Sequence, residues 1–499
     1  MQKKQTILVV ASLLVVVLSV TLAYFTAQII GKEKDVTINS ADLKIIFTDS
    51  DGSISGTNIE PGKWDVTKTF TIENKSNETY KYNIVIQDLV NTFVTNGYLQ
   101  YKITSTNGGY NMTEFKDVPK SSVAKDTILA YSVSIPVGVT QSYTVEFKYS
   151  NDESVDQSED MGKTLSGKLF ITEVPLLTLL SQILKDNPTR DTRDTYDAVF
   201  TNNTTGTLFT ATEKNVHNTT DTTVYYYAGN TTNNWVKFAG FYWRIIRTNA
   251  DGSIRMLYSG TSHDTTNGYL STGTKTFNSS SNSPKYVGYM YGNDDSSLLN
   301  ARTNTNNSTI KTYVDNWYKN NLTDYTKYLS NDAVYCNDRN LASGQTYSTT
   351  NYFYYASSER IKTNKQPTYN CTNMSDAFSV NNTSAKLDYP VGLITIDELS
   401  YAGGIESTKL TAPYAWYYTN ANGESITGDE RPWSLSPVEY LRVWYWNGSN
   451  YPGNLSRSIL DFSHVVRPSV SLLSCNLISR GDGSPENPYV VYTGSGVCE

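Results

Sequence analysis

The chain of 499 residues carries a formal net charge of −7, which argues against nucleic acid as a partner, because phosphate binding needs a basic field. Its length suggests two or three domains, and a hydrophobic content of 38% with 39 tyrosines is ample for packed cores. Charged residues make up only 18%, below the usual quarter or so; Asn, Thr, Ser and Tyr carry the polar surface instead, a composition of strands and turns rather than of long helices.

Residues 1–31 come first. Lys3 and Lys4 precede an uncharged apolar run from Thr6 through Ile30, and Lys32 follows. About 20 apolar residues suffice to cross a bilayer. The run reads either as a signal peptide cleaved near Ala23 or as a retained single-pass anchor with its Lys-bearing end inside. It exceeds the usual signal core of about 7–15 residues, which favours the anchor. A buried soluble helix fits poorly, since the run has no polar face. On either reading the rest of the chain is exported, and an extracellular, cell-surface location is expected.

From residue 35 to 174 the pattern has period two. Tyr143, Val145, Phe147 and Tyr149 alternate with polar residues, as do Leu129, Tyr131, Val133 and Ile135, and Tyr82, Ile84 and Ile86. Such alternation means strands with one buried face. Turn signals at Asp51–Gly52, Pro61–Gly62, Asn107–Gly109 and Pro136–Gly138 separate the runs. Roughly seven or eight short strands at this spacing predict an all-β sandwich, Ig-like or jelly-roll.

Val174–Pro175 ends that domain. Within a lead-in spanning 175–234, Leu176 to Lys185 reads as a short amphipathic helix stopped before Pro188. Asp191 to Asn234 is Thr/Asn-rich and weakly periodic, an ordered lead-in or a loose linker. A second domain, 235–499, starts firmly at Trp235. Phe241–Arg247 and Ile254–Tyr258 flank the Gly-containing turn Asn249–Gly252, which predicts a hairpin. Ser308 is placed to cap a helix with Ile310, Val314 and Trp317 on one face. Thr395 to Ala402 is a second candidate helix. The remainder reads as short strands and long loops, where binding sites are usually carried.

The four cysteines, Cys336, Cys371, Cys475 and Cys498, all come late. An even count in an exported chain favours disulfides, and their order suggests Cys336–Cys371 and Cys475–Cys498; free thiols are the alternative. There is no Cys-x-x-Cys, so zinc is not expected.

Several segments of the second half carry a family resemblance: Asn233–Arg247, Ser308–Tyr318, Tyr335–Arg339, Tyr389–Thr395, Trp433–Pro437, Val466–Pro468 and Gly481–Tyr489. Together they resemble a domain of surface proteins from gut Firmicutes and relatives, similar to the C-type-lectin-like fold of formylglycine-generating-enzyme type, over about Leu177 to Tyr492. The resemblance implies an α+β C-type-lectin-like domain. The same fold class includes the variable proteins of diversity-generating retroelements, in which residues near the C-terminus are randomised on a fixed scaffold to bind changing ligands.

In the corresponding place this chain has a candidate variable region, 438–464, whose candidate ligand-binding residues are Glu439, Tyr440, Leu441, Arg442, Trp444, Trp446, Asn447, Ser449, Asn450, Tyr451, Asn454, Ser456, Arg457, Ser458, Asp461, Ser463 and His464. Independently of the resemblance, the mixture suits a contact surface. Tyr and Trp bring rigid area at low entropy cost, and Ser, Asn and Gly adaptable hydrogen bonds; Tyr, Trp and Arg are the usual hot-spot residues. An ordinary core strand could equally hold Trp444 and Trp446 in alternation with Val443 and Tyr445. That reading suits Val443 and Trp444 better, and leaves Tyr440, Arg442, Trp446, Tyr451 and Arg457 open between core and contact.

Leu22–Thr26, at the end of the apolar run, is similar to the export signals of camelysin/TasA-type matrix proteins. This resemblance implies a mature β-sandwich and self-assembly by strand addition, with no His-Glu-x-x-His to support a peptidase. The expectation is thus a cell-surface ligand-binding protein of adhesin or receptor type, its partner a protein or glycan on a host, a neighbouring cell or a phage. The alternative is a structural surface-layer or fibre-forming protein built on the sandwich.

Catalysis is not expected. His217, His263 and His464 sit in unrelated contexts, and the catalytic cysteines of formylglycine-generating enzymes have no clear counterpart; fold alone does not carry function. Asp49–Gly52 and Asn293–Asp295 offer oxygens suited to calcium but lack EF-hand spacing and read as turns. Arg480–Asp482 reads as a structural turn, and the Asn-x-Ser/Thr triplets as compositional. No cofactor or metal is implied.

Overall fold

A computed structural model of the protein describes residues 43–47, 53–54, 59–75, 79–173, 177–270 and 274–493. The apolar run Thr6–Ile30, the Leu22–Thr26 motif, Asp49–Gly52, Val174–Pro175 and Cys498 lie outside these residues. Among the described residues no helix is long and apolar enough to cross a membrane. The protein is mostly β-sheet with few helices, in two compact units, Met1–Leu176 and Leu177–Glu499.

In the first unit the two-residue alternation becomes strands β1 (Leu43–Phe47), β2 (Trp64–Asn74), β3 (Tyr80–Asn91), β4 (Leu99–Ser105), β5 (Lys116–Asp117), β6 (Ser121–Ile135), β7 (Thr140–Tyr149) and β8 (Leu165–Glu173). They form two sheets, ordered β1-β2-β7-β4-β5 and β6-β3-β8. One core joins both: Phe70, Ile72, Tyr143, Val145 and Phe147 from the first sheet meet Ile84, Ile86, Leu169 and Ile171 from the second. This is a β-sandwich. Two core phenols, Tyr82 and Tyr143, share a hydrogen bond, and Tyr82 reaches Gln141 Oε1 at 2.6 Å, so their burial leaves no hydroxyl unpaired.

One side chain departs from the alternation. Tyr131 was expected inward and is 59% exposed. Between the pairs Tyr82↔Val133 and Ile84↔Ala130, β3 advances two residues while β6 advances three. Ser132 absorbs the extra residue with φ +56°. A bulge of this kind reverses the facing of the residues beside it, so Ala130 packs inward and Tyr131 outward.

The second unit begins with a helix, Leu179–Asp186, capped by Thr178 Oγ1, which accepts from the Ser181 N–H at 3.1 Å. It ends before Pro188, whose ring cannot continue it. The segment set apart as a lead-in belongs to this unit: β9 (Thr189–Asp191), β10 (Thr207–Glu213) and β11 (Thr222–Tyr226) are strands of its main sheet. The boundary at Trp235 is corrected accordingly. That sheet continues through β12 (Trp235–Phe238), β13 (Phe241–Thr248) and β14 (Ile254–Tyr258). It is completed by β20 (Val391–Leu393), β25 (Pro468–Leu472), β26 (Ile478–Arg480) and β27 (Tyr489–Val491). Its main path runs β20-β25-β14-β13-β11-β10-β9. The expected hairpin is β13–β14.

Short pairs surround the sheet: β15 (Lys275–Thr276) with β24 (Ser463–His464), β16 (Met290–Tyr291) with β17 (Asn306–Asn307), and β18 (Tyr335–Cys336) with β19 (Ala377–Phe378). A separate three-stranded sheet is formed by β21 (Trp433–Glu439), β22 (Arg442–Trp446) and β23 (Leu455–Ile459).

Both expected helices form. In Thr309–Asn321 the Ser308 hydroxyl accepts from the Lys311 N–H at 3.2 Å; Ile310 and Val314 are buried, and Trp317 packs on Phe241, Trp243 and Tyr258. Ile396–Ala402 starts with a full capping box between Thr395 and Glu398, which satisfies two orphan N–H groups reciprocally. Cys336 and Cys371 form a disulfide across 35 residues of chain, a loop whose closure contributes about 3–4 kcal/mol in the chain-entropy description. Cys475 is disulfide-bonded too.

Candidate functional site

The region 438–464 is built on the three-stranded sheet, whose first two strands are covered on both faces. Every residue of β21 is buried, and so are Val443 to Trp446 of β22. Burial on both faces removes the inside-outside alternation that a half-exposed strand would show. Trp433 donates its indole N–H to the Lys275 carbonyl at 2.8 Å and Trp444 to Ser357 Oγ at 3.0 Å. Seven candidate contact residues are therefore corrected to interior positions: Glu439, Trp444, Trp446, Asn447, Asn454, Ser458 and His464. Asn447 and Asn454 close the β22–β23 turn, where the Asn447 N–H donates to the Asn454 carbonyl at 2.9 Å.

The remaining candidates reach the surface at strand ends and turns and, for Ser456 and Arg457, within β23. Ser449, Asn450, Tyr451, Asp461 and Ser463 are exposed, while Tyr440, Leu441, Arg442, Ser456 and Arg457 are half-buried. Tyr451 is 52% exposed, with the Lys409 ammonium 4.4 Å from its ring centroid. Phe462, outside the candidate set, is exposed beside Asp461.

His464 lies with its ring stacked on Tyr445 and edge-on to Trp433, at 4.8 and 4.4 Å between centroids. Burial first, and then the Arg431 charge, push its imidazole from 6.5 down to about 4. The folded protein therefore stays unprotonated there through the interval in which the unfolded chain takes up a proton. Stability from this group is complete above about pH 6.5 and is lost as pH falls toward about 4, by up to about 3 kcal/mol. In thermal melts His464→Phe is expected to gain stability relative to the wild type as pH is lowered through that window. A wild-type-to-variant difference that stays constant with pH would contradict this assignment.

At the open end of the sheet a charge cluster forms. Glu439 ends β21 and is fully buried. Its Oε1 accepts from Arg442 Nη1 at 2.5 Å, at the start of β22, and from Arg457 Nε at 3.1 Å, on β23. Its Oε2 faces the Lys362 ammonium at 3.8 Å, and Arg457 Nη1 also reaches Glu406 at 3.3 Å. Burial raises the Glu439 carboxyl, but hydrogen bonding from Tyr352 and Arg442 and the charges of Arg457 and Lys362 outweigh it and hold the group below its ordinary value. Lys362 is pushed down, by burial first and by Arg457 next.

Beside the cations stands a ring cluster. Tyr352 packs on Tyr354 at 5.2 Å and on Tyr440 at 6.5 Å, and the Tyr440 hydroxyl donates to the Thr349 carbonyl. Tyr352 and Tyr354 are 54% and 38% exposed. Sequence reasoning missed Tyr352, Tyr354, Lys362 and Glu406. The run Tyr352–Tyr355 within a Ser/Thr/Asn-rich stretch was the one available signal.

A second polar cluster is interior. Arg247 on β13 pairs with Glu213 at 2.8 Å and Glu398 at 3.0 Å, and Arg255 on β14 lies 3.4 Å from Glu398. Arg360 grips Asp397 through two nitrogens at 3.0 and 2.9 Å and Asp338 at 2.7 Å. Apart from Arg255, these groups and the Cys336–Cys371 bridge line a cavity of about 20 Å³, enough for about one water. Burial raises Glu398, yet Arg255 and Arg247 outweigh it and hold the carboxyl low. The segments behind the family resemblance thus supply interior framework.

Other sequence candidates resolve into local structure. Asp294 accepts from the Ser296 N–H and Asp295 from the Ser283 hydroxyl. Asp482 accepts from the Ser484 N–H in the β26–β27 turn. His217 Nε2 lies 2.8 Å from Ser379 Oγ, but Ser379 is fully buried. Among the described residues no His/Cys/Asp/Glu group is arranged to hold a metal. No protein-family model matches the chain, and neither the curated proteins nor the solved structures yield a match.

Proposed function

We propose that the second unit is a C-type-lectin-like domain that recognises a ligand without catalysis, on a chain exported and held at the cell surface by its apolar N-terminus. The observation that supports this best is the division within residues 433–464. Trp433, Val443, Trp444 and Trp446 form a buried scaffold, while Tyr440, Arg442, Ser449, Asn450 and Tyr451 reach the surface at its ends and turns and Ser456 and Arg457 on the half-buried strand β23. Of these, Ser449, Asn450 and Tyr451 sit in the β22–β23 turn and can be exchanged with little cost to the fold, as a diversified recognition surface requires, whereas Arg442 and Arg457 also pair with buried Glu439. The partner on this reading is a protein or glycan of a host, a neighbouring cell or a phage. Sequencing the locus across related strains tests it. Substitutions are expected to concentrate at the seven outward positions and to spare the tryptophans; an even spread over 433–464 would rule out diversification.

A second reading rests on the sandwich. β6, fifteen residues long, ends its sheet, and an edge strand is a template for a further strand. Fibres of the purified ectodomain in electron microscopy would support assembly by that route; monodisperse particles would count against it.

A further inference from the structure

We propose that Lys362, Arg442 and Arg457, gathered around Glu439 beside Tyr352 and Tyr354, form a binding site for a carboxylated sugar. The proposal rests on the recognition reading above and names its ligand class. Three cations meet two carboxylates here, Glu439 and Glu406, so the cluster keeps a positive excess in a chain whose net charge is −7. The excess is held in place rather than solvated loosely. Glu439 is buried and draws two guanidiniums onto one oxygen.

A guanidinium offers five N–H donors in a rigid fork. The bonds to Glu439 and Glu406 engage one nitrogen of Arg442 and two of Arg457. Both arginines are about one-third exposed, so each guanidinium reaches solvent, where its fork can meet an incoming carboxylate. The exposed rings of Tyr352 and Tyr354 supply flat apolar faces next to this charge, suited to the C–H face of a sugar ring.

The sheet edges argue against an extended acidic peptide. Peptides of that kind bind by adding a strand to a free edge. Outside β21 the Tyr354 backbone bridges to Glu439, so the edge that carries Glu439 is covered; outside β23 Glu406 bridges to Leu455, two residues from Arg457. What remains open is a face of side chains, and a compact anion with a ring suits it.

Calorimetric titration of the intact ectodomain tests the proposal, with tri-galacturonic acid and sialyllactose as probes and with methyl-esterified tri-galacturonate, lactose and a Glu-rich peptide as controls. Binding of at least one acidic sugar is expected, with loss on esterification or on removal of the sialic acid and weakening at high salt. Since side chains supply all the charge, EDTA should have no effect. Arg442→Gln should weaken binding about tenfold or more, with a lowered melt because buried Glu439 loses a charged donor; Tyr354→Ala, at a half-exposed ring with no side-chain bond to Glu439, should also weaken binding, with the melt little changed. Two outcomes overturn the proposal: neutral and acidic sugars binding alike, or neither acidic sugar binding at millimolar concentration. Capture of the Glu-rich peptide alone overturns the sugar class while leaving the recognition reading intact. That reading fails separately, on the strain sequences.

Discussion

Arg247→Met is expected to destabilise the second unit by about 3–5 kcal/mol, because it removes the partner of two buried carboxylates and leaves their charge uncompensated. Glu213 and Glu398 are almost fully buried and lie 2.8 and 3.0 Å from the guanidinium, which also sits 4.3 Å from the Tyr369 ring centroid. The loss is uneven. Glu398 keeps Arg255 and its place in the capping box, whereas Glu213 keeps only neutral donors, the Ala250 N–H and Asn215 Nδ2. Adding Glu213→Gln to Arg247→Met should therefore recover part of the stability, although it removes a further native group. Tryptophan fluorescence in a denaturant titration reads this well, since all tryptophans but Trp64 lie in the second unit. A double variant no more stable than the single would show that packing against Tyr369, not charge, makes Arg247 indispensable.

Local signals were legible in the sequence and tertiary ones were not. The cap at Ser308 depends on a residue three positions on, and it is found where the hydroxyl chemistry placed it. The alternation on β7 held throughout, because β7 is flanked by β2 and β4 in unbroken register. On β6 it failed at Tyr131, where the cause is a bulge set by pairing with β3. β10 and β11 were passed over as Thr/Asn-rich, yet Leu208, Phe209, Val224 and Tyr226 are buried there; threonine is itself a good strand residue.

The candidate site divides in the same way. Its turn residues were readable from composition. The burial of Trp446 is not legible within β22 itself, because what covers both faces of the strand comes from elsewhere in the fold. Lys362 and Glu406 come from segments remote in sequence, and only the fold brings them to Glu439. The burial of Arg247 and Arg339 is likewise hidden in the sequence, since charged side chains are rarely fully buried unless paired and their partners, Glu213 and Asp376, are distant in the chain.

Trp446→Ala and Tyr451→Ala, five positions apart, should separate scaffold from surface. Trp446 is fully buried, pairs with Leu455 across the sheet, and has the Arg467 guanidinium 5.9 Å from its ring. Truncating a core tryptophan costs about 3–5 kcal/mol, since transfer energy is lost and a cavity remains. Burial also presses Arg467 down to about 9, so admitting water beside it would change its surroundings as well. Tyr451 is half exposed, and its turn is held by backbone bonds, its N–H to the Gly448 carbonyl at 3.2 Å and its carbonyl from the Asn454 N–H at 3.1 Å, which an alanine preserves. Its replacement should stay within about 0.5 kcal/mol of the wild type. Chemical denaturation of the two variants measures both. Equal losses would mean that the outward turn is itself structural, and a surface of that kind could not be diversified without loss of the fold.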